Sequence, residues 1–159
     1  MLHLIPAPLH RALYRVADRV RRRWWRIRRP RRASVLMAAF DEGGRVLLVR
    51  HSYGPLVWAL PGGGIDRGEE PALAALREFR EELGCGLADI VALESRVHDE
   101  GGSQDLRHVF AARLAGSPLP DMREIVEIGL FEPHALPGGC DWRVAPAVRL
   151  ALVARSQER

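Results

Sequence analysis

Residues 63–85 read Gly-Gly-Ile-Asp-Arg-Gly-Glu-Glu-Pro-Ala-Leu-Ala-Ala-Leu-Arg-Glu-Phe-Arg-Glu-Glu-Leu-Gly-Cys, and the turn Pro61-Gly62-Gly63-Gly64 leads into them. The glycine turn ends an apolar run, and the spacing beyond it predicts an acidic helix from about Glu69 to Gly84. Side chains three and four apart share a helix face, so Glu78, Glu81 and Glu82 converge on one side. Carboxylates that close repel one another, and a divalent cation would cancel the repulsion. Oxygen ligands without His or Cys suit Mg²⁺ or Mn²⁺ rather than zinc. The opposite stripe, Ala72, Leu76, Phe79 and Leu83, is expected to be buried.

This stretch resembles the Nudix box: Gly, five residues, Glu, seven residues, then Arg-Glu-aliphatic-x-Glu-Glu-x-Gly-aliphatic. Gly63, Glu69, Arg77, Glu78, Glu81, Glu82 and Gly84 fill its fixed positions, while Phe79 and Cys85 replace two aliphatic ones. A solvated helix with Glu/Arg pairs would account for Arg80, but not for the adjacent Glu81-Glu82 or the glycine turn. The resemblance implies a nucleotide pyrophosphohydrolase. Such an enzyme hydrolyses a diphosphate bond in a nucleoside diphosphate linked to another group, by attack of a metal-activated water. Carried over by position, Glu78, Glu81 and Glu82 hold Mg²⁺ (or Mn²⁺), and the Gly63 carbonyl completes a site. Arg77 and Glu69 act on the ligands, with Arg77 pairing to a box glutamate and holding its rotamer. The family often adds a glutamate from a later loop as general base or metal ligand; Glu124 is the first candidate and Glu127 the second, both otherwise being surface acids. A Nudix module that binds a nucleotide without cleaving it is the alternative, and the intact acidic triad argues against it.

At 159 residues, 47% hydrophobic and 28% charged, the chain fits one globular domain. All 24 basic residues are Arg. Residues 1–32 hold eleven Arg against Asp18, a net +10, and residues 33–159 hold thirteen Arg against nineteen acids, a net −6; together they give the overall +4. The basicity therefore belongs to the N-terminal segment and says little about the ligand of the acidic remainder. Two cysteines, Cys85 and Cys140, suit a reducing, cytoplasmic setting. There is no apolar run long enough to span a membrane, and no signal-peptide core is expected at the N-terminus.

Leu9, Leu13, Val16, Val20, Trp24 and Ile27 form one helical stripe with Arg on most other faces, between Pro8 and Pro30. Residues 1–33 are thus expected to be a basic amphipathic helix and linker, and 34–159 the Nudix domain. The stripe would be covered by the chain's own domain or by a homodimer partner, or would lie on an anionic membrane surface through residues 9–29. Nucleic acid is the weakest option, since no base-reading motif accompanies the charge. The helix lies outside the box, so removing residues 1–29 is expected to leave hydrolysis intact.

The remaining signals predict strands at 34–40, 45–50, 57–60, 87–98, 107–115 and 125–131. A one-turn helix is predicted near 133–136 and an amphipathic helix over 144–155. The first two strands should form a hairpin. With the resemblance, this order implies the Nudix-type α/β fold, a three-layer α/β/α sandwich with a mixed sheet, plus the N-terminal helix. Arg50, Tyr53 and Trp58 precede the glycine turn, where Arg50 could meet a phosphate and an aromatic ring could stack on a base; packing roles are the competing account of Tyr53 and Trp58. His51, His98, His108 and His134 have no ligand spacing. The window that helps to separate Nudix substrate classes reads Gly101-Gly102-Ser103, without the proline linked to ADP-ribose or the tyrosine linked to diadenosine polyphosphates. The substrate is therefore expected to be nucleotide-like, without finer definition.

Overall fold

The computed structural model describes residues 32–100 and 103–157, together with Leu13, Val16, Ala17 and Val20. Those four positions are helical and exposed, with Leu13, Val16 and Val20 at 51, 58 and 64% exposure. The rest of the predicted N-terminal helix, including Trp24 and Ile27, lies outside the described residues, as do Gly101 and Gly102.

Five strands, β1 (Arg32–Phe40), β2 (Val46–His51), β3 (Gly86–Glu100), β4 (Ser103–Ala115) and β5 (Ile125–Phe131), form one mixed sheet in the order β3-β4-β1-β2-β5. β1 runs parallel to β4, and the other neighbours are antiparallel. Alternation along the central strands sends side chains to both faces. Val35, Met37, Ala39, Leu47 and Val49 pack under helix α1 (Pro71–Leu83) with Ala75, Phe79 and Leu83. Ala38, Phe40, Val46 and Leu48 pack on the other face under helix α2 (Val144–Gln157) with Val144, Ala147, Val148 and Ala151. The expected three-layer arrangement is therefore present.

The glycine turn departs from a simple hairpin. β1 and β2 pair at Phe40 opposite Val46 and then part. Residues 59–65 fill the gap between them. Ala59 exchanges two hydrogen bonds with Val49, the Met37 and Val35 N–H groups donate to the Pro61 and Gly63 carbonyls, and the Ile65 N–H donates to Ala33 O. The strand predicted at 57–60 is thus reduced to isolated bridges at Ala59 and Trp58. A Cβ on Gly62 would overlap the Val35 carbonyl, so only glycine lets the turn run this close to β1.

Helix α1 starts at Pro71, two residues past the expected Glu69. Glu70 caps it by accepting the Ala72 and Leu73 N–H groups at 2.8 and 3.2 Å, and Pro71 takes the first-turn position where no N–H is needed. Gly84, at φ 64°, ends it in the left-handed region. The buried stripe is Ala74, Ala75, Phe79, Glu82 and Leu83, with Ala72 and Leu76 only half-buried, so the helix is turned from the expected orientation and carries a glutamate inward.

β1 takes in Arg32 and Ala33, which the sequence reading gave to the linker. β4 begins at Ser103, ahead of the predicted Arg107, because its first inward positions are Ser103, Asp105 and Arg107; all three are buried, while Leu106 faces out. The one-turn helix expected near Pro133 is a single turn closed by Ala135 N–H to Glu132 O. Among the described residues no helix is long and apolar enough to cross a membrane. Cys85 and Cys140 are free thiols.

Candidate active site

The box glutamates open onto a cleft of about 1290 Å³ that runs around the glycine turn. Glu78, Glu81, Glu82, Glu124 and Tyr53 line it together with Gly62, Gly63 and Gly64, and Arg32, Asp105, Arg107 and Arg143 line it as well. The three glutamates differ in exposure. Glu81 faces solvent, Glu78 is half-buried and Glu82 is only 5% exposed.

Glu82 receives an N–H from Gly62, while its Oε2 has no hydrogen-bond partner. Burial pushes its pKa well above the usual carboxylate range, and the nearby charges of Glu78, Glu124 and Asp121 push the same way. The Glu78 pKa is also raised, first by burial; Arg77 opposes this, and Glu81 and Glu124 add to it. A Cβ on Gly63 would overlap the Glu78 carboxylate, so the glycine is the space in which that carboxylate sits.

Arg77 ties the box together. Its Nε and Nη2 donate to Glu69 Oε1 and Oε2, both at 2.8 Å, in a bidentate fork. Nη1 donates to Glu78 Oε1 at 2.8 Å and Nη2 also reaches the Gly64 carbonyl at 3.0 Å. Arg77, the largest influence on Glu69, holds the Glu69 pKa down to about 2. One Glu78 oxygen is thereby oriented and the other lies against Gly63.

Glu124 reaches the cleft from the segment before β5, whereas Glu127 sits on β5, half-exposed and paired to Arg50 at 2.9 Å. Only Glu124 of the two lines the cleft. Arg50 pairs across the β2–β5 ladder with Glu127 and lies 4.3 Å over the Trp58 ring. Trp58 is buried edge-on against Phe131 in the α2 core. The structure therefore brings Tyr53 to the cleft but neither Arg50 nor Trp58, because the cross-strand ion pair and the core each hold them elsewhere.

Among the described residues no three His, Cys, Asp or Glu side chains stand close enough together to hold a metal ion as placed. The donor set still fits a hard divalent cation: several carboxylates, Glu82 with a buried oxygen lacking any partner and Glu78 in a cradle that a Cβ on Gly63 would fill. The Gly63 carbonyl already accepts from Val35 N–H at 2.9 Å and keeps one lone pair.

A mixed sheet between two helices carries a glutamate-lined cleft at a glycine turn, an arrangement of the α/β class. The sequence matches the NUDIX domain over residues 30–150, and the chain belongs to the Nudix family. An RNA pyrophosphohydrolase from Gluconobacter oxydans is 45% identical over 67 residues, covering 42% of this chain and 39% of that one. An ADP-ribose pyrophosphatase from Bacillus subtilis is 32% identical over 98 residues, 60% of this chain and 52% of that one. The matched stretch is thus under two thirds of either relative's length. Among solved structures, a MutT NUDIX hydrolase from Burkholderia pseudomallei superposes with a TM-score of 0.68 at 27% identity, over 76% of this chain and 97% of that one. Members of the family generally use divalent metals.

Sequence reading missed the cleft residues Arg32, Asp105, Arg107 and Arg143, and it missed Asp121 beside Glu124. Asp121 had a usable signal, an Asp poised just before a strand to cap its first amides. The buried pair on β4 had none, because polar residues at inward positions read as surface.

Proposed function

We propose that this chain is a metal-dependent nucleotide pyrophosphohydrolase, cleaving a diphosphate bond in a nucleoside diphosphate linked to another group. The observation that carries the reading is Glu82, a carboxylate buried at the cleft with one oxygen unpartnered. The Gly62 N–H repays only part of that burial, and a bound cation would offset the rest. Glu78, Glu81, Glu82 and the Gly63 carbonyl are the groups to hold Mg²⁺ or Mn²⁺. When bound, the cation offsets the diphosphate's charge and makes the attacking water more acidic.

The chain's own residues do the rest. Arg77 fixes the Glu78 rotamer and Glu69 fixes Arg77. Glu124 accepts the water's proton. Arg32, with Arg107 paired to Asp105 and Arg143 paired to Asp141, lines the side of the cleft where phosphate oxygens would lie, and Tyr53 offers a ring to the nucleoside. The relatives named for RNA and for ADP-ribose share the pyrophosphate bond and differ in the rest of the substrate, which leaves that part open here. The free thiols fit work in the cytoplasm.

The test is a panel of nucleoside triphosphates, ADP-ribose, nucleotide sugars and 5′-triphosphate RNA. Each is incubated with Mg²⁺ or Mn²⁺, and phosphate is read after a coupled phosphatase. Turnover that chelator abolishes is expected; tight binding without turnover of any member would make the chain a nucleotide-binding module instead.

A further inference from the structure

We propose that Asp121 is a positioning residue that fixes the backbone at Glu124, and so the reach of its carboxylate, relative to Glu82. This rests on the hydrolase reading and on Glu124 serving the attacking water.

Asp121 belongs to no strand, yet hydrogen bonds converge on it. Its Oδ1 accepts the N–H groups of Arg123, Glu124 and Ile125 at 3.0, 3.0 and 2.9 Å, and its Oδ2 lies 3.1 Å from the Glu124 N–H. The β2–β5 register breaks at Arg50/His51, just where these amides would enter the ladder, so the side chain stands in for a strand. From the other side, Ser52 holds the same stretch: its N–H donates to Glu124 O at 2.7 Å and its Oγ to Arg123 O at 2.6 Å. Glu124 is thus clamped at both amide and carbonyl.

The clamp is tied to the box helix. The Asp121 N–H donates to Glu82 O at 3.0 Å, and the Leu119 N–H donates to Leu83 O at 2.8 Å. One residue therefore touches the main chain of Glu82 with its amide and that of Glu124 with its carboxylate. Met122, next in sequence, has φ 59°, a left-handed conformation that a non-glycine side chain adopts only when its surroundings enforce it. A further negative charge beside Glu82 and Glu124 adds repulsion to a site already acidic, so hydrogen bonding is what Asp121 supplies.

The experiment combines kinetics and hydrogen exchange. With Mg²⁺ and the panel nucleotide turned over fastest, Asp121→Ala should lower kcat about tenfold to a hundredfold, the usual effect of losing a group that orients a site residue, with KM within about twofold. Asp121→Asn, which keeps the oxygen used by three amides, should recover most of the rate and guards against a fold defect. In a Glu124→Gln background, Asp121→Ala should add little, because the two act as one unit. In the metal-free protein, the Glu124 and Ile125 amides should exchange faster in Asp121→Ala while those of β1 stay slow. An equal loss of kcat in both backgrounds, or unchanged exchange at Glu124, overturns the proposal. A wild-type rate in Glu124→Gln overturns it through the Glu124 assignment; loss of activity in Glu82→Gln would then show that the hydrolase reading survives.

Discussion

Helices α1 and α2 cover opposite faces of one sheet and use burial differently. α2 gives its core Val144, Ala147, Val148 and Ala151, all apolar. α1 gives Ala74, Ala75, Phe79 and Leu83, and with them Glu82. The sheet asks only for apolar contact, and α2 shows how that is met. The glutamate in α1 opposes folding in the absence of a cation, so it marks the face on which chemistry outranks stability.

Changing that glutamate should have the largest effect. Glu82→Gln and Glu81→Gln should each lower kcat by about a hundredfold or more, since each removes a ligand charge and keeps the shape. Glu82→Gln should also raise the melting temperature of the metal-free protein, at about 2–4 °C per kcal/mol recovered. Near-normal turnover in both variants, or a lower melting point in Glu82→Gln, would erase the contrast between the helices. Next comes the base: Glu124→Gln should slow turnover about tenfold to a hundredfold and flatten the acidic limb of the pH–rate profile, while Glu127→Gln, on the outer ladder, should do little.

Two neighbouring glycines sharpen the comparison. Gly63→Ala should push the Glu78 carboxylate aside and cost activity with modest loss of stability. Gly62→Ala meets backbone and should destabilise by about 1–3 kcal/mol, read by chemical denaturation. On the other face, Val148→Ala should cost about 2 kcal/mol and leave kcat unchanged.

The smallest effect is the pH dependence. Glu82 binds its proton more tightly folded than unfolded, so between the ordinary value of 4.5 and its raised folded value the native state carries more protons. Stability of the metal-free protein should therefore fall as pH rises through that window, and Glu82→Gln should flatten the slope. Glu69 runs the other way: its pKa is held to about 2, so its contribution is present above 4.5 and fades as pH falls toward 2. Thermal melts across pH separate the two.

Much of the site was legible because its residues obey a fixed spacing on one helix. Glu78, Glu81 and Glu82 needed only that period, while Arg77 and Glu69 were read from the resemblance to the Nudix box. The fold was legible where burial and apolarity coincide, as in β5, which runs from Ile125 to Phe131 as expected. It was not legible where they part. Ser103, Asp105 and Arg107 are buried and Leu106 is out, so the start of β4 carried the wrong polarity for a strand with an apolar core. Nor could the sequence place Arg50 and Trp58, whose partners Glu127 and Phe131 lie 77 and 73 residues on, across a ladder register that local pattern does not encode.

The glycine turn is a rung of the sheet. Pro61 and Gly63 accept amides of β1, and Ile65 donates back to it. Surface loops fray at little cost, but a rung opens only when the sheet does. The backbone of the turn is therefore expected to hold still while exposed side chains such as Glu81 rotate. The acid cradle would stand as ready after one turnover as before it, and the Val35, Met37 and Ile65 amides would exchange as slowly as those along the parallel β1–β4 seam.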